Sequence, residues 1–197
     1  MAIERRRLTS IPASPQPYLA GNCQNEDGFY HIAALGQNIN LSPSMWDLFD
    51  LEGFTCATAT ETTVRARAHV PVWRYRYFGT WPNLELYPGS GTYHGSDLHM
   101  VFGGTEDVTG LPDTRPEAAT TAYMMYAWAS FVNDPVHRLD AVLAWPKFDP
   151  QQQSLVLLGY NGSAGGAQFV DPAIYDAPCE SNGKIAGGSV AGAQGAF

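Results

Sequence analysis

Basic residues are scarce in this sequence. Its 197 residues include 11 Lys and Arg against 19 Asp and Glu, which gives a formal net charge of −8 at pH 7. The basic run Arg5-Arg6-Arg7 lies close to the amino terminus. A nucleic-acid-binding surface requires clustered Lys and Arg, so we expect no nucleic-acid partner.

Long apolar runs and regularly spaced cysteines are also lacking. No apolar stretch approaches the roughly 18 residues that cross a membrane, and Met1–Leu8 lacks the apolar core of a signal peptide. The cysteines Cys23, Cys56 and Cys179 form no C-x-x-C pair, which argues against a zinc site. We therefore expect no membrane span, no signal peptide in this chain, and neither a metal nor a cofactor.

The remaining composition, with 45% hydrophobic and 15% charged residues, is that of a globular protein with one domain. Residues 1–17 are basic and then Pro-rich, which predicts a disordered tail. Residues 181–197 are rich in Gly and Ala and predict a flexible tail. The folded part is therefore expected within residues 18–180.

The clearest strand signal covers Val72–Phe78, where the side chains alternate between two types. Its aromatic residues Trp73, Tyr75 and Tyr77 would share one face of the strand. Its two arginines would share the other face, where they require carboxylates or carbonyls. Two more short strands are predicted at Tyr18–Gly21 and Leu155–Leu158.

Helix signals are strongest at two places. Asp113–Glu117 combines a cap, an early proline and an acidic first turn, and predicts a helix to about Asn133. Thr55 is predicted to cap a second helix over Cys56–His69. The order of strands and helices predicts an α/β fold. Because only about three strands are evident, the chain is interpreted as one end of a larger sheet.

A histidine in a glycine-rich loop is the first candidate for chemistry. His94 follows the turn Pro88–Gly91 and precedes Gly95. Ser96 is predicted to cap a short helix with Asp97 in its first turn. Such a loop exposes the imidazole between fixed elements, which suits a general base. From these residues alone, a turn histidine without chemistry is an equal alternative.

Several stretches of the chain contain motifs that occur in a characteristic order. They are Ala20–Tyr30, Phe54–Cys56, Val70–Gly79, Trp81–Leu84, Gly91–Gly103, Ala127–Phe131, Asp134–Pro135 and Trp145–Pro146. Together they resemble the type-B carboxylesterase/lipase family, the cholinesterase-like α/β-hydrolases, and in particular its fungal members. The resemblance covers residues 18–180 and implies the C-terminal part of that domain, with the last strands of the sheet and their flanking helices.

The resemblance implies a serine esterase whose catalytic triad follows the order serine, acid, histidine. His94 matches the histidine, which takes the proton of the serine and returns it to the leaving alcohol. Glu26 matches the acid, and Asp27 is the alternative acid. Asp97 is interpreted as a charge at a helix start. The implied substrate is a small-molecule carboxylic ester, hydrolysed through an acyl-serine intermediate.

The family's Gly-Glu-Ser-Ala-Gly nucleophile motif has no match in this sequence. Upstream of the acid, Ser10 and Ser14 lie in the Pro-rich tail. Ser163 and Ser189 have glycine-rich surroundings, but each lacks one flanking glycine and both lie after the histidine. The resemblance therefore implies a fragment that holds the acid and the histidine without a nucleophile. Such a chain is expected to hydrolyse esters poorly by itself.

The resemblance also implies a disulfide between Cys56 and Cys179, with Cys23 unpaired. A disulfide indicates an oxidising compartment, so the full-length parent is expected to be secreted. We further expect the aromatic face of the strand Val72–Phe78 to meet a segment outside this chain.

Two other functions stay open. A non-catalytic relative would use the same fold as a binding or interaction surface, although the matches at Glu26 and His94 argue against it. A metal site would use His94, Asp97 and His99 as ligands. A helix would splay these three side chains, and no fourth ligand is evident.

Overall fold

The computed structural model of the protein describes residues 15–162 and 165–182. The predicted tails, residues 1–17 and 181–197, lie outside this part except for residues 15–17 and 181–182. Four serines that were weighed as nucleophiles also lie outside it: Ser10, Ser14, Ser163 and Ser189.

The described strands form one mixed sheet, in the order β1-β2-β3-β4. They are β1 (Tyr18–Cys23), β2 (Val72–Tyr77), β3 (Leu155–Leu158) and β4 (Ala167–Val170). β2 pairs in parallel with both β1 and β3, and β4 is antiparallel to β3. The predicted α/β fold and three predicted strands are confirmed. β4 was not predicted, because a half-exposed strand of four residues carries little periodicity.

Helices flank the sheet. They are α1 (Asp27–Gly36), α2 (Pro43–Asp50), α3 (Cys56–Arg67), α4 (Ser96–Phe102), α5 (Thr105–Thr109), α6 (Arg115–Asn133), α7 (Arg138–Leu143) and α8 (Ala173–Asn182). The 3-10 turn Tyr160–Gly162 lies between β3 and β4. None of the helices in the described part is long and apolar enough to cross a membrane.

α2 and α3 are joined without a break by the π-helical segment Leu51–Thr55. Asp50, Thr55 and Cys56 all have right-handed helical backbone angles. The predicted cap at Thr55 is therefore wrong, because no helix begins there. The Thr55 hydroxyl instead accepts a hydrogen bond from Nη1 of Arg76 at 3.2 Å.

α6 begins and ends where the sequence predicted. The Thr114 hydroxyl accepts a hydrogen bond from the Glu117 amide at 3.4 Å, and the Glu117 carboxylate accepts one from the Thr114 amide at 3.1 Å. This reciprocal capping box satisfies two amides that the helix itself leaves unpaired. The helix then continues to Asn133.

The aromatic face of β2 packs against α6. Trp73 contacts Phe131 and Tyr75 contacts Trp128, with ring centroids 5.9 and 4.9 Å apart. Trp73 and Tyr77 are fully buried. The expectation that this face meets a segment outside the chain is therefore wrong, because the long helix already covers it.

The other face of β2 places two arginines against polar partners, as predicted. Nη1 and Nη2 of Arg74 donate to the Asp176 carboxylate at 2.5 and 2.8 Å, and the Arg74 side chain is only 1% exposed. Nη2 of Arg76 lies 3.5 Å from the Gln24 carbonyl oxygen. These contacts fix β2 and α8 to each other.

The disulfide that the resemblance implies is present. Cys56 at the start of α3 is bonded to Cys179 in α8, with their Cα atoms 5.4 Å apart. Cys23, at the end of β1, is a free and buried thiol. The disulfide and the Arg74–Asp176 ion pair therefore hold α8 from two sides.

Candidate active site

The structure brings Glu26 and His94 together across 68 residues of sequence. Nδ1 of His94 lies 2.6 Å from Oε2 of Glu26. Glu26 follows β1 and His94 lies beyond β2, so both come after the carboxyl ends of neighbouring parallel strands. This edge of an open α/β sheet is where such folds place their sites.

Main-chain contacts hold the two loops side by side. The Asn25 amide donates to the Thr92 carbonyl at 3.0 Å, and Nδ2 of Asn25 donates to the Ser90 carbonyl at 2.9 Å. The His94 amide lies 3.3 Å from the Glu26 carbonyl. The position of the histidine thus depends on the backbone of both loops as well as on its own side chain.

The Glu26 carboxylate is buried, with 4% of its side chain exposed. Burial raises its pKa, whereas hydrogen bonds from the Cys23 amide and from His94 act to lower it. The Cys23 amide donates to Oε1 at 2.6 Å, and His94 contacts the other oxygen. Both oxygens therefore have a donor, which satisfies the charged form.

The His94 ring contacts two aromatic side chains, which also contact each other at 6.0 Å. Its centroid is 5.4 Å from that of Tyr30 and 5.1 Å from that of Phe54. A carboxylate only accepts hydrogen bonds, so the Nδ1 that faces Glu26 carries the proton. In the neutral ring Nε2 is then the acceptor. The His94 side chain is 46% exposed, and no described residue is hydrogen-bonded to Nε2.

Asp27 lies beside Glu26 in sequence but contacts another histidine. Its Oδ2 is 3.3 Å from Nε2 of His31, one helical turn further along α1. His31 is in turn stacked on Trp46, with ring centroids 4.2 Å apart. In the structure each of the two candidate acids therefore contacts a different histidine. The carboxylate in contact with His94 is that of Glu26.

The predicted position in α4 is wrong for Ser96 and correct for Asp97. Gly95, in the left-handed conformation with φ 82°, is the cap of α4, so the predicted cap at Ser96 is wrong. The Ser96 hydroxyl instead lies 3.7 Å from the Cys23 thiol. Asp97 is in the first turn of α4 as predicted, and its Oδ2 accepts a hydrogen bond from the Tyr75 hydroxyl at 2.7 Å.

The three residues of the metal alternative do not converge. Asp97 faces Tyr75, and Nε2 of His99 is 3.4 Å from the Tyr93 hydroxyl. Throughout residues 15–162 and 165–182, no group of three His, Cys, Asp or Glu side chains is placed to hold a metal ion.

A groove of about 870 Å³ lies beside the site on α1. Apolar residues such as Ile32, Leu35 and Leu86 line it, together with His31 and Trp46. His94 does not line it, and no motif pointed to it. The sequence also gave no indication that Tyr30 and Phe54 lie beside the histidine, because aromatic residues in helices are typical of the hydrophobic core.

The fold is that of part of an α/β-hydrolase. A solved PNB esterase superposes with a TM-score of 0.59 over 86% of this chain and 38% of that chain, at 20% identity. This confirms the fold that the resemblance implied.

Curated relatives add sequence similarity. Secreted lipase 5 of Gibberella zeae is 34% identical over 105 residues, which cover 52% of this chain and 19% of that protein. Chlorogenic acid esterase of Aspergillus niger is 31% identical over 121 residues, which cover 54% of this chain and 23% of that protein. The chain thus spans about a fifth of these relatives, and no family model matches it. The similarities support a carboxylesterase/lipase family for this chain, over part of the length of its relatives.

Proposed function

We propose that this chain supplies the acid and the histidine of a serine-type carboxylic ester hydrolase. The observation that carries the proposal is the 2.6 Å contact between Nδ1 of His94 and the buried Glu26 carboxylate. It leaves Nε2 on a half-exposed ring, where a serine hydroxyl can approach. The similarity to proteins named as a lipase and an esterase supports the same chemistry.

The proposed steps follow the ordinary logic of a catalytic triad. Nε2 of His94 takes the hydroxyl proton as the serine oxygen attacks the ester carbonyl. The Glu26 carboxylate keeps the other ring proton on Nδ1 and stabilises the imidazolium that forms. His94 then gives its proton to the leaving alcohol. A water molecule, activated by the same histidine, releases the acid from the acyl-serine.

The nucleophile of this scheme is a serine outside the described residues. Ser96, two residues after His94, has its hydroxyl at the Cys23 thiol instead of at the histidine. We therefore propose that this chain alone hydrolyses esters slowly and acts as part of a longer, secreted protein. In that protein a small-molecule carboxylic ester would be the substrate.

Glu26 is proposed as the acid in preference to Asp27. Glu26 is the carboxylate in contact with Nδ1 of His94, whereas Asp27 contacts His31. In addition, the burial of Glu26 excludes the water that would otherwise screen its charge from an imidazolium.

The test joins this chain to the part of the Aspergillus niger esterase that precedes the matched region. Hydrolysis of p-nitrophenyl acetate and labelling by a fluorophosphonate are measured for the chimera and for the chain alone. We expect both activities in the chimera, and from the chain alone only slow hydrolysis and no labelling. His94→Gln should abolish them, whereas His31→Gln, the matched control, should retain them.

An equal hydrolysis rate in the His94→Gln chimera would contradict the proposal. A folded chimera that is inactive with every ester tried would instead favour the non-catalytic alternative. Circular dichroism and a cooperative unfolding transition establish that each chimera is folded.

A further inference from the structure

The continuous helix formed by α2, the π-helical segment and α3 lies behind the His94–Glu26 pair. Phe54 of the π-helical segment contacts the His94 ring. Phe49 of α2 contacts Tyr30 of α1, with ring centroids 5.0 Å apart. Tyr30 in turn contacts the His94 ring. The helix therefore reaches the histidine both directly and through α1. π-helical turns are rare and often occur at functional sites.

Asp50, the last residue of α2, makes the polar contact of this helix with α1. Its Oδ1 accepts a hydrogen bond from the Asp27 amide at 2.6 Å. That amide belongs to the peptide bond between Glu26 and Asp27. The Asp50 carboxyl therefore holds the backbone unit from which the Glu26 side chain extends.

The contact also replaces a missing helix cap. Glu26 occupies the cap position of α1, yet its side chain makes no capping hydrogen bond. Both of its oxygens are engaged elsewhere, by the Cys23 amide and by His94. The first amides of a helix need an acceptor from outside the helix. Asp50 supplies that acceptor for Asp27 from a different helix.

We propose that Asp50 is a positioning residue of the His94–Glu26 pair: by accepting a hydrogen bond from the Asp27 amide, it fixes the peptide unit from which the Glu26 side chain reaches the histidine. This inference rests on the proposed function, because it assigns a role in the same site. Without Asp50, the Asp27 amide loses its acceptor, whereas the next two amides of α1 keep the carbonyls of Asn25 and Glu26. The Glu26 carboxylate would then lose its alignment with Nδ1 of His94.

The experiment uses the full 197-residue chain and two magnetic-resonance signals. One is the low-field resonance of the proton on Nδ1 of His94, which is observed only while a carboxylate accepts a hydrogen bond from that nitrogen. The other is hydrogen exchange of the Asp27 amide. In Asp50→Ala we expect loss of the His94 signal and about five- to tenfold faster amide exchange, as for a lost cap. Asp50→Asn keeps an acceptor oxygen and should retain both signals.

Two control variants separate the possible failures. Glu26→Gln identifies the His94 signal, and Asp47→Asn changes an exposed acid of α2 and should change neither signal. If the unmodified chain lacks the His94 signal, the proposed function itself fails. If the signal is present and Asp50→Ala leaves it unchanged, the pair stands and the role of Asp50 is refuted.

Asp50→Asn keeps the test decisive if Asp50→Ala does not fold. Retention of the His94 signal in Asp50→Asn supports the capping role, because the oxygen and not the charge is what the amide requires. Loss of the signal in a folded Asp50→Asn protein overturns it.

Discussion

Two carboxylates that are neighbours in sequence, Glu26 and Asp27, each face a histidine, and the two pairs are built differently. Asp27 and His31 are four residues apart on one helix, at 3.3 Å, with side chains 13% and 41% exposed. Glu26 and His94 are 68 residues apart, at 2.6 Å, and the carboxylate is 4% exposed. Helix geometry alone produces the first pair, whereas the second exists only when the sheet and both loops are in place.

This difference has an energetic side. An ion pair between residues four apart on one helix contributes little to stability, on the order of 0.5 kcal/mol. A buried carboxylate loses its hydration, and the raised pKa of Glu26 reflects that loss. Its hydrogen bonds to the Cys23 amide and His94 offset part of the loss. The long-range pair is thus the one whose construction indicates a purpose other than stability.

The largest expected effect comes from removing the charge of the Glu26 carboxylate. In the active chimera, Glu26→Gln should lower kcat by roughly a thousand- to ten-thousandfold, as expected when the acid of a triad loses its charge. Asp27→Asn, the neighbouring control, should change kcat by less than about tenfold, because its carboxylate contacts His31. Steady-state kinetics with p-nitrophenyl acetate measure both. A larger loss in Asp27→Asn would make Asp27 the acid.

The next effect concerns the packing on which the long-range pair depends. The disulfide Cys56–Cys179 closes a separation of 123 residues, and Cys56 directly follows the π-helical segment. Cys56→Ser with Cys179→Ser should lower the free energy of unfolding by about 5 kcal/mol in the loop-entropy model. Urea unfolding measures this change. The matched control, Cys23→Ser, removes no cross-link and should cost less, and equal losses would contradict the prediction.

A smaller effect depends on pH and on the third carboxyl of this region. Burial and the charges of Asp27 and Glu26 raise the pKa of Asp50 to about 7, although Arg76 and the hydrogen bond from Asp27 act to lower it. The folded state therefore favours neutral Asp50, and this stabilisation is lost as pH rises from the ordinary aspartate pKa of 3.8 to about 7.

Asp50→Asn carries no such charge, so its stability relative to the unmodified chain should increase from pH 5 to pH 8. Denaturant unfolding across this range measures the difference between the two proteins. A difference that stays constant with pH would show that Asp50 does not titrate in the folded chain.

The smallest expected effect concerns the pair within α1. Asp27→Asn removes the helix pair with His31 and should change the free energy of unfolding by about 0.5 kcal/mol or less. Urea unfolding at pH 6 measures it, and a loss several times larger would show that the pair is more than a local helix contact.

The parts of the fold with a local cause were predictable from the sequence. The capping box of Thr114 and Glu117 and the apolar run Leu155–Leu158 act within a few residues, and both elements were predicted with correct bounds. The predicted helix after Thr55 is present as α3, but the cap at Thr55 was wrong, because a threonine before a helical run is typical of a cap. Only the preceding helix α2, entering through a π-helical turn, changes that reading.

The candidate site shows the same limit more strongly. The loop of His94 suited a general base, but no local pattern joins it to Glu26. The pairing of His94 with Glu26 came from the resemblance, since the spacing of residues along the sequence does not indicate which carboxylate contacts which ring. Asp50 had no signal at all, because its role depends on where α2 ends relative to α1.

Gly28, the second residue of α1, imposes a steric requirement on this region. The Tyr87 hydroxyl donates to its carbonyl at 2.7 Å, and a side-chain carbon at this position would overlap the Ser90 carbonyl oxygen. Ser90 is also the acceptor for Asn25. Even a methyl group at position 28 would thus push α1 away from the loop that carries His94. The contact between Glu26 and His94 therefore requires a glycine at this position.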